Sequence, residues 1–122
     1  MIYGIGTDII EVSRIQKSIE RYGAQFLDRI FTEDEQKYCA RHKESSRHYA
    51  GRFAAKEAAV KALGTGFSGG IHWLDVAIVN DESGKPSIKL SKSLSERFNA
   101  PVLHLSISHC NEYATAFVVC MK

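Results

Sequence analysis

Paired cysteines are missing from this sequence. Its three cysteines, Cys39, Cys110 and Cys120, are an odd number with no C-x-x-C pair. A disulfide scaffold is therefore not expected, and reduced thiols in a cytoplasmic protein are the simplest account. No apolar run approaches the roughly 20 residues that span a bilayer, so no membrane association is expected. The opening Met1-Ile-Tyr-Gly-Ile-Gly-Thr-Asp8 lacks the basic region and cleavage site of a secretory signal. Charge of one sign is also scarce. The net charge is +2; residues 1–66 carry 11 Lys/Arg against 9 Asp/Glu, and residues 67–122 carry 5 of each. That excess is too weak for a nucleic-acid footprint. Linkers, repeats and low-complexity segments are absent. At 122 residues, 44% hydrophobic and 25% charged, the chain is expected to form one domain over 1–122.

What the chain does have is a stretch of small residues with charges kept inside it, Gly51-Arg-Phe-Ala-Ala-Lys-Glu-Ala-Ala-Val-Lys-Ala-Leu-Gly-Thr-Gly66. The pattern predicts a helix of about three to four turns, stopped at Gly64 by a left-handed cap. At about 100° per residue, Phe53, Lys56, Val60, Leu63 and Gly64 fall on one side, with Ala54, Ala55, Ala58 and Ala62 on the other. No long polar stripe is left for water, so a central helix packed on most sides is expected. Glu57 and Lys61 are spaced to meet on one helix edge. An exposed pair of that kind contributes about 0.3–0.5 kcal/mol. On a helix with so little polar surface, charges are usually paired or functional.

In chain order, Ile2 to Thr7 reads as a short strand thinned by Gly4 and Gly6. Asp8 follows at the junction to a helix, where an isolated aspartate reads as a cap. Gly4-Ile-Gly6 continues as Thr-Asp rather than x-x-Gly, so the dinucleotide fingerprint fails. Val12 to Tyr22 has an apolar stripe of Val12, Ile15 and Ile19 and closes at Gly23. Arg14, Lys17 and Arg21 form a row of one sign on another face, either a solvated face or a docking surface for an acidic partner. Gln25 to Phe31 reads as a short apolar helix or turn. Thr32-Glu-Asp-Glu35 is a capping box that starts a helix to about Arg41. A loop from Arg41 to Ser46 follows, with Ser45 or Ser46 as cap of the central helix.

Gly64-Thr-Gly-Phe-Ser-Gly-Gly70 holds four glycines in seven residues, suiting a flexible turn or a ligand loop equally. It follows a helix and so meets the negative pole of the dipole. A phosphate there needs cations such as Lys61, or a metal. Ile71 to Asn80 reads as a strand, Asp81 to Lys85 as a hairpin turn, and Ser87 to Leu90 as a strand opened by Pro86. Ser91 caps a short helix ending before Pro101. Val102 to Ser108 alternates cleanly, His109 to Glu112 turns the chain, and Tyr113 to Cys120 returns as the last strand. Helices gather in the first half and hairpin-linked strands in the second. The layout is α+β, an antiparallel sheet packed with helices.

Ser106, Ser108 and His109 invite a hydrolase reading, but strand neighbours point to opposite faces and there is no G-x-S-x-G elbow. His104, His109 and Cys110 match no standard structural zinc spacing. Asp8 and Glu57 are the hard-oxygen candidates. Should they converge, both stay ionised only with a cation beside them, and two carboxylates with phosphate oxygens and water suit Mg²⁺.

Gly4-Ile-Gly-Thr-Asp-Ile-Ile-Glu-Val-Ser-Arg-Ile15 and Phe53-Ala-Ala-Lys-Glu-Ala-Ala-Val-Lys-Ala-Leu-Gly-Thr-Gly66 resemble the two signatures of bacterial holo-acyl-carrier-protein synthases. Thr32-x-x-Glu35-x-x-Tyr38, Asn80-Asp-Glu-x-Gly-Lys-Pro86 and Ser106-Ile-Ser-His109 also fit, collinear over essentially the whole chain. The resemblance implies a 4′-phosphopantetheinyl transferase fold and transfer of 4′-phosphopantetheine from coenzyme A to a serine of apo acyl carrier protein. It implies Asp8 and Glu57 as Mg²⁺ ligands, directly or through water, and Lys61 as the lysine that steadies phosphate charge. The serine proton, which must also go somewhere, would go to Glu57 or a water on the metal. Gly64, Thr65 and Gly66 would border the nucleotide, and His109 would lie near the coenzyme. Arg14 and Arg21 would face the acidic carrier helix, and the family usually forms a homotrimer with sites at subunit interfaces. The competing readings are a non-catalytic module docking an acidic partner and a Mg²⁺-dependent phosphohydrolase.

Overall fold

The computed structural model describes residues 1–122. It opens with β1 (Ile2–Glu11), followed by α1 (Val12–Tyr22), α2 (Ala24–Ile30), α3 (Glu33–Ala40) and the long α4 (Ser45–Leu63). A 3₁₀ turn (Trp73–Asp75) leads into β2 (Val76–Asn80) and β3 (Pro86–Leu90). The short α5 (Lys92–Arg97), β4 (Val102–His109) and β5 (Tyr113–Met121) complete the chain. The strands form two antiparallel sheets rather than one: β1-β5-β4 and the hairpin β2-β3. The expected α+β class holds.

Several elements follow from their local chemistry. The Thr32 capping box forms: Glu35 N–H donates to Thr32 Oγ1 at 3.1 Å, and Thr32 N–H donates to Glu35 Oε1 at 2.7 Å. Ser91 accepts from Leu94 N–H and caps α5, and Gly64 ends α4 in the left-handed region at φ 84°. Other elements depart from the sequence reading. β1 runs on to Glu11, paired with Tyr113 of β5. Asp8 therefore sits mid-strand opposite Ala116 and caps no helix. α1 has no side-chain cap; Val12 N–H donates instead to Glu112 O at 2.8 Å. α4 starts at Ser45, so Ser45 and Ser46 lie inside its first turn and Glu44 holds the cap position without a side-chain bond. Burial of Tyr49 and Ala50 anchors these first turns. Residues 71–75 are not strand. Asp75 Oδ2 accepts from His72 N–H at 2.8 Å, and this local bond competes with sheet pairing.

α4 is the central helix: twelve of its nineteen residues are buried, and it lies across β1 and β5. Its alanines 54, 55, 58, 59 and 62 are at most 2% exposed. Lys56 is also fully buried, its ammonium 2.8 Å from Glu35 Oε1 and 3.2 Å from Trp73 O. Burial pushes the Lys56 pKa down, while the Glu35 charge and hydrogen bond pull it back up.

The tightest contact in the fold is β1 on α4. The inward row of β1 is Gly4, Gly6, Asp8 and Ile10. A Cβ at Gly4 would lie 2.1 Å from Ala62 O, and one at Gly6 would lie 2.0 Å from Ala58 O. Glycine on the strand and alanine on the helix thus let two backbones touch. Gly6→Ala should displace the strand and destabilise the protein by about 1–3 kcal/mol or more, measured by denaturant unfolding. An unchanged unfolding midpoint would contradict this packing.

Candidate functional site

Two residues beyond Gly6 on the same face of β1, Asp8 arrives at the C-terminal half of α4. Lys61 Nζ lies 3.2 Å from Asp8 Oδ1 and 3.0 Å from Thr7 O. The Asp8 backbone is pinned from the other side, where Thr115 Oγ1 donates to Asp8 O at 2.9 Å. The side chain of Asp8 is 17% exposed and that of Lys61 is 50% exposed. The expected Glu57–Lys61 edge pair does not form, because Lys61 reaches across to the strand carboxylate. Glu57 stays beside them, half-buried and in no ion pair. Its pKa is raised chiefly by burial, further by the Asp8 charge, and is partly offset by Lys61. Asp8 and Lys61 therefore pair where strand and helix touch, and Glu57, one turn before Lys61 on α4, lies within reach of both charges. No group of three or more His, Cys, Asp or Glu side chains is gathered as a metal cage. Asp8 and Glu57 offer hard oxygen donors and leave the rest of a coordination sphere to ligand and water, as Mg²⁺ prefers.

The glycine loop starts one residue after α4. Thr65 N–H and Gly66 N–H both turn back to Val60 O, at 3.1 and 3.2 Å. Those amides close the helix and are spent there, which leaves Lys61 as the cation next to the loop. Gly66, Gly69 and Gly70 have φ of 60°, 64° and 82°, and Phe67 stacks on Trp73 at 4.0 Å between ring centroids. Trp73 also stacks on Phe53 at 4.8 Å. These two rings help line an apolar cavity of about 560 Å³, closed by Tyr22, Phe26 and Ile30.

His109 lies elsewhere, at the end of β4. Its ring is 5.2 Å from that of His48, which stacks on His42 at 3.8 Å. Arg52 is 4% exposed, lies 4.1 Å from the Tyr38 ring and hydrogen-bonds Asn80 Oδ1, yet its Nε has no partner. Tyr38, His48, Arg52, Asn80, Pro86 and His109 line a cavity of about 140 Å³. Burial first, then the charges of His42, His109, Arg52 and Arg47, lowers the His48 pKa to about 4. His109 is lowered too, by burial and then by Arg47, Arg52 and His42. The Arg52 guanidinium gives this cavity a fixed positive charge, which suits an anion. Sequence reasoning found His109 and missed Arg52, His48 and Asn80. The available signal was Arg52 inside an otherwise apolar helical stretch. Arg52 and Glu57 are about 140° apart around α4, so this pocket and the carboxylate corner occupy different faces.

Arg14, Lys17 and Arg21 are exposed together on α1, and none joins an ion pair. The row expected from the spacing is present, free and facing solvent.

Residues 4–118 match the family model described as the 4′-phosphopantetheinyl transferase superfamily. The holo-[acyl-carrier-protein] synthase of Protochlamydia amoebophila is 60% identical over 119 residues, 98% of this chain and 98% of its own. Among solved structures, the holo-[acyl-carrier-protein] synthase of Neisseria meningitidis superposes with a TM-score of 0.91 at 37% identity, covering 100% of both chains. A synthase from Bacillus anthracis, solved in complex with coenzyme A (3′,5′-ADP), is 43% identical with a TM-score of 0.83, covering 98% of this chain and 96% of that one.

A raised folded pKa means that the Glu57 contribution to stability is present at low pH and is lost as pH rises through that value. Above that value the ionised carboxylate costs the fold stability. Glu57→Gln should raise the Tm at pH 7 in metal-free buffer, and the gain should close as pH falls to the ordinary carboxylate range near ~4. A lower Tm for the variant at pH 7 would contradict this cost.

Proposed function

The chain belongs to the 4′-phosphopantetheinyl transferase superfamily, and on that premise we propose that it transfers 4′-phosphopantetheine from coenzyme A to a serine of apo acyl carrier protein. The products are holo acyl carrier protein and adenosine 3′,5′-bisphosphate. The observation that supports this reading is the Asp8–Lys61 ion pair, with Glu57 one turn before Lys61 on α4 and within reach of both charges. Strand and helix bring them together from opposite ends of a signature-bearing half of the chain, in a fold shared with a synthase solved with coenzyme A.

The serine hydroxyl oxygen forms a bond to the β-phosphorus, and the bond from that phosphorus to the bridging oxygen breaks. The electron pair leaves on the phosphate of adenosine 3′,5′-bisphosphate. Charge gathers on phosphate oxygens, so positioning and cations carry most of the catalysis. Lys61, half-exposed beside Asp8, supplies one fixed cation. Asp8 and Glu57 would hold Mg²⁺, which supplies Lewis-acid stabilisation of phosphate charge when bound. A Glu57 carboxylate oxygen, or a water beside it, takes the serine proton. Gly64, Thr65 and Gly66 border the coenzyme beside Lys61.

The pocket of Arg52, His48 and His109 suits the phosphate-bearing adenosine end of coenzyme A. It faces away from the carboxylate corner around α4, so one coenzyme shared between two copies of the chain reconciles the two sites. The outer face of β1-β5-β4 supports self-association. It exposes Ile5 (60%), Ile9 (66%), Tyr113 (45%) and Phe117 (46%), an apolar patch that water does not suit. Three copies around an axis, each site completed by a neighbour, is the arrangement we adopt. Arg14 and Arg21 hold the acidic helix of the carrier by charge complementarity. The reaction fits a cytoplasmic protein, and no helix here is long and apolar enough to cross a membrane.

Incubation with coenzyme A, Mg²⁺ and an apo carrier should add the mass of one phosphopantetheine group to the carrier. Asp8→Asn and Lys61→Met should each lower kcat by about a hundredfold or more. Arg14→Glu with Arg21→Glu should raise KM for the carrier and leave KM for coenzyme A unchanged. No mass gain with any of several carriers would overturn the reading. Coenzyme A cleavage without a carrier would point to a phosphohydrolase.

A further inference from the structure

Lys56 is the one fully buried cation of the molecule, and transfer chemistry as described above makes no use of it. It follows Arg52 by one helical turn and immediately precedes Glu57, yet its ammonium bonds to neither site. Its polar contacts are Glu35 Oε1 at 2.8 Å and Trp73 O at 3.2 Å. Glu35 is itself 2% exposed and accepts from Thr32 N–H at 2.7 Å and Ile78 N–H at 2.7 Å. One charge centre therefore joins α3, α4, β2 and the 73–75 turn.

Each of those segments leads to a wall of the coenzyme site. Ile78 is two residues from Asn80, whose side-chain oxygen accepts from Arg52. Glu35 is three residues from Tyr38, whose ring lies 4.1 Å from the Arg52 guanidinium. Trp73 stacks on Phe67 of the glycine loop and on Phe53, one turn before Glu57. A buried ion pair is a poor source of stability compared with apolar packing of the same volume. What it adds is direction, because a carboxylate held by three donors fixes the register of the segments that supply them.

Resting on the transfer reading, we infer that Glu35 and Lys56 are positioning residues for coenzyme A. They set where the Arg52 pocket and the glycine loop stand relative to Glu57 and Lys61. They touch no reacting atom, so their removal acts on coenzyme binding before it acts on the chemical step.

The test measures KM for coenzyme A and kcat at saturating Mg²⁺ and carrier, well below each variant's Tm. It compares wild type, Lys56→Met, Glu35→Asp and Leu94→Ala. Lys56→Met keeps the bulk and removes the charge. Glu35→Asp keeps the charge and withdraws it by one methylene, which holds the question open if Lys56→Met fails to fold. Leu94, buried in α5 and not among the bonding partners of Lys56 or Glu35, is the control for general loss of stability. Folded Lys56→Met and Glu35→Asp should raise KM for coenzyme A by about tenfold to a hundredfold with kcat within a few-fold of wild type. Leu94→Ala should lower Tm and leave KM in place. Unmoved KM in the pair variants would overturn the inference, as would an equal KM rise in Leu94→Ala at matched Tm loss. Wild-type protein without turnover would instead overturn the transfer reading, and this inference with it.

Discussion

The contact between two backbones, β1 and α4, is the constraint on which the rest of the structure depends. Gly4 and Gly6 lie against the carbonyls of Ala62 and Ala58 with no room for a methyl group. The strand could not approach so closely with any side chain on that row. Close approach delivers the next inward residue, Asp8, to Lys61 and to the flank of Glu57. Lys61 offsets part of the repulsion between the two carboxylates, and a buried helix packed against a paired strand is a rigid scaffold for all three.

α4 organises the molecule by its faces. Its alanine face meets β1 and β5, while Lys56 ties it to α3, β2 and the turn before β2. Arg52 points into a pocket with His48 and His109, and Glu57 and Lys61 point toward β1. The result separates an anion pocket from a carboxylate corner on one element. Such a division makes sense in a protein whose substrate carries phosphates at both the 3′ and the 5′ position of its ribose. The uncovered outer face of the three-stranded sheet supplies a surface by which copies can complete one another.

Much of this was legible in the sequence where local chemistry decides. The capping box at Thr32, the stop at Gly64 and the apolar stripe of α1 are short-range effects, and each appears as its residues require. The signatures around Asp8 and Glu57 pointed to the corner, although the meeting itself is tertiary. What could not be read depended on partners far along the chain. Gly4 and Gly6 looked like weaknesses in a strand; they are its contact surface. Asp8 looked like a cap because the strand appeared to end at Thr7, whereas pairing with β5 carries it to Glu11. Lys56 fell among bulky residues with no visible partner, since Glu35 lies 21 positions earlier in an unrelated motif. The turn at Trp73–Asp75 escaped notice for a different reason, being held by a local side-chain bond.

The central claim is that Asp8 and Glu57 act together on one metal ion. Mn²⁺ can replace Mg²⁺ as a paramagnetic probe, with its affinity for the coenzyme-loaded protein read by electron paramagnetic resonance. The comparison runs over wild type, Asp8→Asn, Glu57→Gln and the double variant. If both carboxylates hold the same ion, each single change should remove most of the affinity and the double change should add little more. Affinity losses that simply add, or single variants that bind Mn²⁺ as wild type does, would contradict the shared site.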